Sequence, residues 1–490
     1  MPVRGAEITS PRSPDREGWV ISVRGGALHR DQVAISAKAS RAGDLGEGRY
    51  GRHQASFVAR GRSGRGLPDR TFPLTGPVAI VVRVTEPAGN PSAHAPGMPV
   101  VTVLGDGQLA RMMQTEAIEL GQSIRLLAGA PDSSAAQVAA DVVIGDYTDL
   151  EDLRRAVAGA DAVTFDHEHV PTEHLRTLIG EGVNVQPGPD ALVNAQDKLV
   201  MRKKLRELGA PVPPFAALES VADAEEFWDA VDGAVCLKTR RGGYDGKGVW
   251  FPSSKEELRD LVADLLGRGM PLMAEKKVAL TRELSAMVAR TPSGRTAPWP
   301  VVESVQRNGV CAEAVSPAPG LSGELGSRAR DLSVRIAEEL GVTGVLAVEL
   351  FEFTDANGQP DIAVNELAMR PHNTGHWTQD GCVTSQFEQH LRAVLDYPLG
   401  STEPTAPVTV MANVLGADSD PELPMARRTV DVWTRFPEAK IHLYGKTHRP
   451  GRKIGHVNLS GSDEPRTRRE AQLAAHYLVH AVWADGFVAE

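Results

Sequence analysis

Two carboxylates, Glu349 and Glu366, sit in the densest run of reactive side chains in the sequence. Glu349 interrupts an apolar run, GVLAVELFEF, and Glu366 closes a second, IAVNE, seventeen residues on. Asn365 precedes Glu366, and Arg370, His372, Asn373 and His376 follow in a turn that ends at Trp377. The polar DANGQP stretch between the runs predicts an antiparallel hairpin, across which the two carboxylates approach each other. An unpaired charge in an apolar strand is costly, so Glu349 needs a partner. Mg²⁺ suits such a pair, because it takes one or two carboxylates and completes its shell with phosphate oxygens and water. The cation, imidazole and amide beyond suit a small anionic substrate, while Trp377 reads as structural.

A phosphate cradle is visible upstream. In AVCLKTRRGGYDGKGVWF a strand ends at Lys238, and Gly242, Gly243, Tyr244, Asp245, Gly246, Lys247 and Gly248 lead into a second strand. Glycine-rich backbone exposes N–H groups that form a nest for polyphosphate, and the lysines add point charges. The loop lies between strands and lacks GxxxxGK[ST], so it is not a Walker loop. Glu275 ends the strand PLMAEKKV, where it and the backbone are placed to read a base. Glu283 on the following strand is placed for a ribose, and Glu303 is expected near the phosphates.

The elements that position these residues divide the chain into four parts. Residues 1–97 are rich in Arg, Gly, Ser and Pro and read as a disordered extension with one β-like run, Pro77 to Thr85. Met98 is a natural domain start, and translation beginning there is an alternative. Residues 98–209 alternate strands and helices, which predicts a Rossmann-like parallel sheet. Its Gly105-Asp106-Gly107-Gln108-Leu109-Ala110 turn resembles a dinucleotide fingerprint. The third glycine is missing and the second strand ends in Leu127-Ala128-Gly129 without an acidic residue, so NAD is not expected. The DHEHVP stretch, Asp166 to Pro171, crowds the end of the fourth strand. One helix is expected from Pro189 or Asp190 to Gly209, carrying Lys198. Residues 210–397 hold the cradle and the paired carboxylates. Residues 398–490 read as a small β-rich domain with a terminal helix that packs back or joins a dimer contact. The overall class is α/β and α+β.

A net charge of −10 argues against a general nucleic-acid or membrane-surface binder. Cys236, Cys311 and Cys382 show no disulfide or metal spacing, and no run of about 18 apolar residues exists. A cytoplasmic protein is the expectation.

The order strand–Lys, GGYDGKG, hinge Glu, paired Glu and NEL…R resembles the ATP-grasp superfamily. GDGQLARMM, KTRRGGYDGKG, NELAMRPHNTGHWTQDG and YGKTHRPGRKIGHVNL together are similar to its 5-(carboxyamino)imidazole ribonucleotide synthase family, from about Met98 to Ser460. Met369 stands where that family is expected to have proline, and Lys198 where some members have Arg. The first 97 residues have no counterpart.

The resemblance implies carboxylation of 5-aminoimidazole ribonucleotide with bicarbonate, in purine biosynthesis, with ATP split to ADP and phosphate. It implies ATP contacts from Lys198, Lys238, the loop Gly242 to Gly248, Glu275, Lys276, Lys277, Val278, Glu283, Asn365 and Glu366. Mg²⁺ (or Mn²⁺) would be held by Glu349 and Glu366. Arg370, His372 and Asn373 would hold the carboxyl donor. Gln108, Lys446 and Arg452, with the DHEHV loop, would take the ribonucleotide. A homodimer is expected. The rival readings are another ATP-grasp ligase, such as a formate-using transformylase, and a catalytically silent nucleotide-binding homologue.

Overall fold

The computed structural model describes residues 6–9, 19–23, 78–82, 90, 93–243, 247–307 and 309–488. They fall in two compact units, Met1–Glu86 and Pro87–Glu490. In the first, β1 (Ala6–Thr9), β2 (Trp19–Val23) and β3 (Val78–Val82) pair antiparallel in that order. β3 falls within the run expected to be β-like, whereas β1 and β2 fall where no strand is expected from composition. The rest of the segment read as disordered, up to residue 89, lies outside the described residues.

The second unit begins before Met98. The Asn90 N–H donates to Asp141 Oδ1 at 2.6 Å, and His94 Nε2 lies 2.6 Å from Asp141 Oδ2. Arg125 Nε reaches the same oxygen at 2.8 Å. Burial opposes ionisation of Asp141, but His94, the Asn90 N–H and Arg125 overcome it and hold the carboxyl below its usual range.

β4 (Val101–Leu104), β5 (Arg125–Ala128), β6 (Asp141–Ile144) and β7 (Ala162–Phe165) form a parallel sheet in the order β6-β5-β4-β7. The order reverses at β4, so a crevice opens at the carboxyl ends of β4 and β7. Helices α1 (Gln108–Glu119), α2 (Leu150–Val157) and α3 (Thr172–Gly180) connect or flank the strands. The single helix expected up to Gly209 is two, α4 (Pro189–Gln196) and α5 (Lys198–Glu207). Asp197 breaks it by adopting extended backbone (φ −130°, ψ 108°), and its carboxylate accepts from the N–H groups of Leu199 and Val200.

The chain from residue 210 onward then builds two sheets. β8 (Phe215–Leu218), α6 (Val221–Ala230), β9 (Val235–Thr239), β10 (Val249–Trp250), α7 (Lys255–Gly267) and β11 (Leu272–Lys276) give a small lobe with strand order β10-β9-β11-β8. The nine-stranded sheet comprises β12 (Leu280–Arg290), β13 (Thr296–Pro298), β14 (Val302–Arg307), β15 (Val310–Ser316), β16 (Gly344–Thr354), β17 (Pro360–Ala368), β18 (Val408–Leu415), β19 (Lys440–Leu443) and β20 (Lys453–Gly461). Its order is β17-β16-β12-β14-β15-β18-β20-β19, with β13 on β12. β15 pairs with β18 from Glu313↔Ala412 to Ser316↔Thr409, so the sheet runs across the boundary drawn at residue 398. Helices α8 (Gly323–Glu339), α9 (Thr378–Gly381), α10 (Gln386–Val394), α11 (Met425–Arg435) and α12 (Glu464–His480) complete the unit. No helix among the described residues is long and apolar enough to cross a membrane.

Alternation along the strands sorts core from chemistry. Leu284, Ala286, Val288, Val348, Leu350 and Val364 face an apolar cluster that extends to Leu104 and Phe165. Met287, Ala289, Val345 and Ala347 face a second cluster with Trp299 and Trp377. Met369 is fully buried in the first cluster, where its side chain fills space among other apolar groups.

Candidate active site

β16 and β17 pair antiparallel with Glu349 directly opposite Glu366 and an irregularity just beyond. β12 lies on the other side of β16 with Ser285 opposite Glu349, so Glu283, Ser285, Glu349 and Glu366 share one face. The cluster of like charges has a measurable effect. Burial, then the charges of Glu349 and Glu366, push the Glu283 carboxyl up to about 7. Glu366 is half-buried, and although its surroundings oppose ionisation, Lys198 Nζ at 2.6 Å, with Lys238 and His372 nearby, holds it below its usual range. Three carboxylates on one face, one of them driven towards protonation, are an environment in which a divalent cation is stabilising. Among the described residues no cluster of three or more His, Cys, Asp or Glu has the arrangement of an all-protein metal cage. The donors therefore fit a cation completed by phosphate oxygens.

Lys198 reaches Glu366 because the break at Asp197 starts α5 there. The same Asp197 carboxylate binds Arg240 (2.9 Å) and Arg241 (3.1 Å), anchoring the start of the glycine loop. The Thr239 N–H donates to Gly248 O across the loop at 2.9 Å. A Cβ on Gly243 would lie 2.7 Å from Lys247 O, and one on Gly248, at φ +73°, would lie 2.5 Å from Thr239 Oγ1. Only glycine fits both positions without displacement. Tyr244, Asp245 and Gly246 lie outside the described residues. Gly242 and the exposed Lys247 flank them.

Lys238 and Glu275 meet between β9 and β11, with Nζ 2.8 Å from Oε2. Glu275 is 2% exposed, and its other oxygen pairs with Arg202 Nε at 2.7 Å. Its carboxylate, expected with the backbone to read a base, is thus engaged by two cations in this structure. Lys276 and Lys277 are exposed beyond it and Val278 is half-buried. The Lys277 N–H donates to Ala234 O at 2.7 Å, and its Nζ lies over the Phe251 ring. Glu303, expected near the phosphates, lies on the opposite sheet face. It pairs with Arg282 at 3.0 Å and with Arg468 of α12 at 2.9 Å. Its register partner is Leu284, and that fixes its side.

The turn after β17 is held from below. His372 N–H donates to Gln386 Oε1 (2.7 Å), and Gln386 Nε2 donates to His372 O (2.8 Å) and contacts His376 Nδ1 (2.9 Å). His372 Nε2 lies 3.0 Å from Glu349 Oε1, and its Nδ1 lies 2.8 Å from Thr374 Oγ1, which donates to Ser285 Oγ. Glu349 therefore has its partner, an imidazole. The Asn373 amide oxygen and nitrogen are both buried without a hydrogen-bond partner among the described residues. Arg370 Nε pairs with Glu168 Oε1 at 2.9 Å, which joins this turn to the DHEHV loop.

Asp166 of that loop explains the partial fingerprint. Its Oδ2 accepts from the Gly107 N–H at 2.5 Å, and a Cβ on Gly105 would lie 1.8 Å from its Oδ1. The turn that resembles a pyrophosphate cradle is filled by a carboxylate of the chain itself. Burial pushes Asp166 up to about 6. Gln108 Oε1 accepts from Lys446 Nζ, which burial and then Arg452 lower to about 8. Arg452 NH1 donates to Thr447 O (3.1 Å) and Thr447 Oγ1 (3.0 Å). Four pairs thus line this region: Lys446 with Gln108, Arg370 with Glu168, His372 with Glu349, and Lys198 with Glu366.

Arg202, Gln386, Thr374 and Ser285 escape the sequence reading. Arg202 left one signal, a charged residue three positions from both Leu199 and Leu205 on the buried stripe of α5.

Comparison with known proteins gives the same order of parts. Residues 98–196 match the ribonucleotide synthetase preATP-grasp domain, 203–387 the ATP-grasp domain, and 409–470 the phosphoribosylaminoimidazole carboxylase C-terminal domain. The chain is 67% identical over 404 residues to N5-carboxyaminoimidazole ribonucleotide synthase of Corynebacterium ammoniagenes, covering 82% of this chain and 98% of that one. It is 53% identical over 389 residues to the protein of that name from Mycobacterium tuberculosis, covering 79% and 90%. The structure of the Thermus thermophilus synthetase superposes with a TM-score of 0.69 at 36% identity, covering 78% and 98%. That of the Aspergillus clavatus enzyme in complex with ADP and 5-aminoimidazole ribonucleotide gives 0.70 at 28%, covering 78% and 99%. This chain belongs to the N5-carboxyaminoimidazole ribonucleotide synthase family of ATP-grasp enzymes.

Proposed function

We propose that the protein joins bicarbonate to the amino group of 5-aminoimidazole ribonucleotide, splitting ATP to ADP and phosphate, in purine biosynthesis. The observation that carries this is the face shared by Glu283, Glu349 and Glu366, which Lys198 meets at Glu366 and which His372, from the turn that also bears Arg370, meets at Glu349. It puts a nucleotide half and an anion half on one sheet face.

ATP would be held at its phosphates by Lys198 and Lys238, with Gly242, Gly243, Lys247 and Gly248 beside them and Lys276 to Val278 and Glu283 contacting the base and ribose. Glu349 and Glu366 hold Mg²⁺, which neutralises phosphate charge when bound. A bicarbonate oxygen forms a bond to the γ-phosphorus as the bond to ADP breaks, giving carboxyphosphate. Positioning and charge neutralisation dominate such a transfer. Arg370 and Asn373 hold the carboxyl oxygens. His372 is oriented by Glu349, by Thr374 and by the Gln386 clamp on its backbone. The ribonucleotide amine then attacks the carboxyl carbon, directly or through released CO₂. Phosphate leaves, and the amine gives up a proton. Lys446 and Arg452 take the ribonucleotide phosphate, and Gln108 and the Asp166–Val170 loop border the ring. The protein works as a homodimer in the cytoplasm.

The test is ADP release with each substrate withheld in turn. Dependence on both bicarbonate and the ribonucleotide is expected. Turnover with formate in place of bicarbonate would overturn the reading.

A further inference from the structure

Lys238 belongs to a buried ion triad whose other members, Arg202 and Glu275, have no role in the steps above. Arg202 on α5 is fully buried, Glu275 on β11 is 2% exposed and the Lys238 side chain on β9 is 9% exposed. Glu275 divides its oxygens, Oε1 to Arg202 at 2.7 Å and Oε2 to Lys238 at 2.8 Å. Arg202 NH2 also donates to Asn365 O at 2.6 Å, one residue before Glu366. Lys238 Nζ contacts the Asn365 side-chain oxygen at 3.4 Å. One guanidinium therefore touches β11 and β17 from α5, and only its planar fork offers separate nitrogens to both while keeping its charge.

The arrangement poses a problem that Arg202 solves. Turning the Lys238 ammonium onto a phosphate, as the nucleotide assignment requires, draws it away from Glu275 Oε2. If it leaves, a carboxylate with almost no access to water would stand bare, which is strongly unfavourable. Arg202 removes that obstacle, because it stays on Oε1 whatever Lys238 does. After the opposing effect of burial, its charge is the largest influence holding Glu275 ionised, with Lys238 next. We propose that Arg202 is a positioning residue for nucleotide binding: it keeps Glu275 paired so that Lys238 is free to move onto the phosphates.

This rests on the assignment of Lys238 to ATP phosphate, and not on the identity of the acceptor. The test uses the full chain, a non-hydrolysable ATP analogue with Mg²⁺, and calorimetry without bicarbonate or ribonucleotide. The outcome therefore stands whichever acceptor proves correct. Arg202→Met is expected to weaken binding by about tenfold or more, since Lys238 then stays on Glu275. Adding Glu275→Gln removes the charge that detains Lys238 and is expected to recover most of the loss, with Glu275→Gln alone closing the cycle. A packing role for Arg202 predicts instead that the double variant binds no better than the single one. That result, or an Arg202→Met protein binding within about twofold of the parent, would overturn the proposal. If Arg202→Met does not fold, Arg202→Lys with and without Glu275→Gln decides by the same comparison, because an ammonium lacks the separate nitrogens by which Arg202 holds Glu275 Oε1 and the Asn365 carbonyl.

Discussion

Glu349→Gln should make the protein more stable and less active at once. Glu349 faces Glu366 across the β16–β17 pair and is the strongest charged influence on Glu283. Directly opposed side chains with carboxylates about 5 Å apart repel by about 3 kcal/mol at an effective dielectric of about 20. Lys198 offsets part of this and water screens part of the rest, so a net gain of about 1 kcal/mol is the realistic figure. The partner of Glu349 is His372, whose Nε2 hydrogen can still be accepted by the amide oxygen. The gain should depend on pH. The folded Glu283 carboxyl titrates at about 7 against an ordinary value of 4.5. Between those values the folded protein binds the extra proton, so this group adds stability as pH falls and takes it away as pH rises. Glu349→Gln should flatten that slope, giving its largest advantage above pH 7 and little near pH 5. Melting temperature across pH, measured without nucleotide or metal, reads this as a rise of about 1 °C at pH 8. Ribonucleotide-dependent ADP release should fall by about a hundredfold or more. A variant that melts lower than the parent at pH 8, or that keeps more than a third of its turnover, would refute the assignment of Glu349 to a repelling, cation-binding cluster.

Three further outcomes follow from the same geometry. Lys446 carries its charge below about pH 8, so KM for the ribonucleotide should rise above that pH, and Lys446→Arg should abolish the rise. Gly105→Ala places a Cβ against Asp166 at a backbone φ of +131° and should cost about 2 kcal/mol or more in urea unfolding. Asp141→Asn removes the partner of the buried Arg125 and should cost about 3 kcal/mol; the part due to the lowered Asp141 pKa should fade in the parent as pH falls below about 4.

Periodicity and glycine placement made the strand order of chemistry legible. The hairpin carrying Glu349 and Glu366, the loop between β9 and β10 and the parallel first sheet all follow from local pattern. What pattern could not supply was the side of a strand relative to its neighbours. Glu303 looked placed for phosphate because it follows Glu283 in sequence, but a register that pairs it with Leu284 turns it to the far face. Nothing local to Glu275 revealed Arg202, which arrives from a helix seventy-odd residues earlier. The break at Asp197 was hidden because all its neighbours favour helix, and only the carboxylate's own capping bonds disclose it. Upstream, composition rightly found the start of the Rossmann-like sheet but could not show that Asn90 and His94 close over Asp141.

The pairing of β15 with β18 bears on how the molecule comes apart. A separate C-terminal domain could melt or exchange its amide hydrogens on its own. Here its first strand is hydrogen-bonded into the middle of a nine-stranded sheet, and Arg468 of the last helix is ion-paired to Glu303 and Glu313 on the strands before it. Loss of the C-terminal strands would expose the edge of β15 from Glu313 to Ser316 and deprive Glu313 of Arg468. Protection against hydrogen exchange should therefore be matched in β15, β18 and β20, and the two regions should unfold in a single cooperative transition.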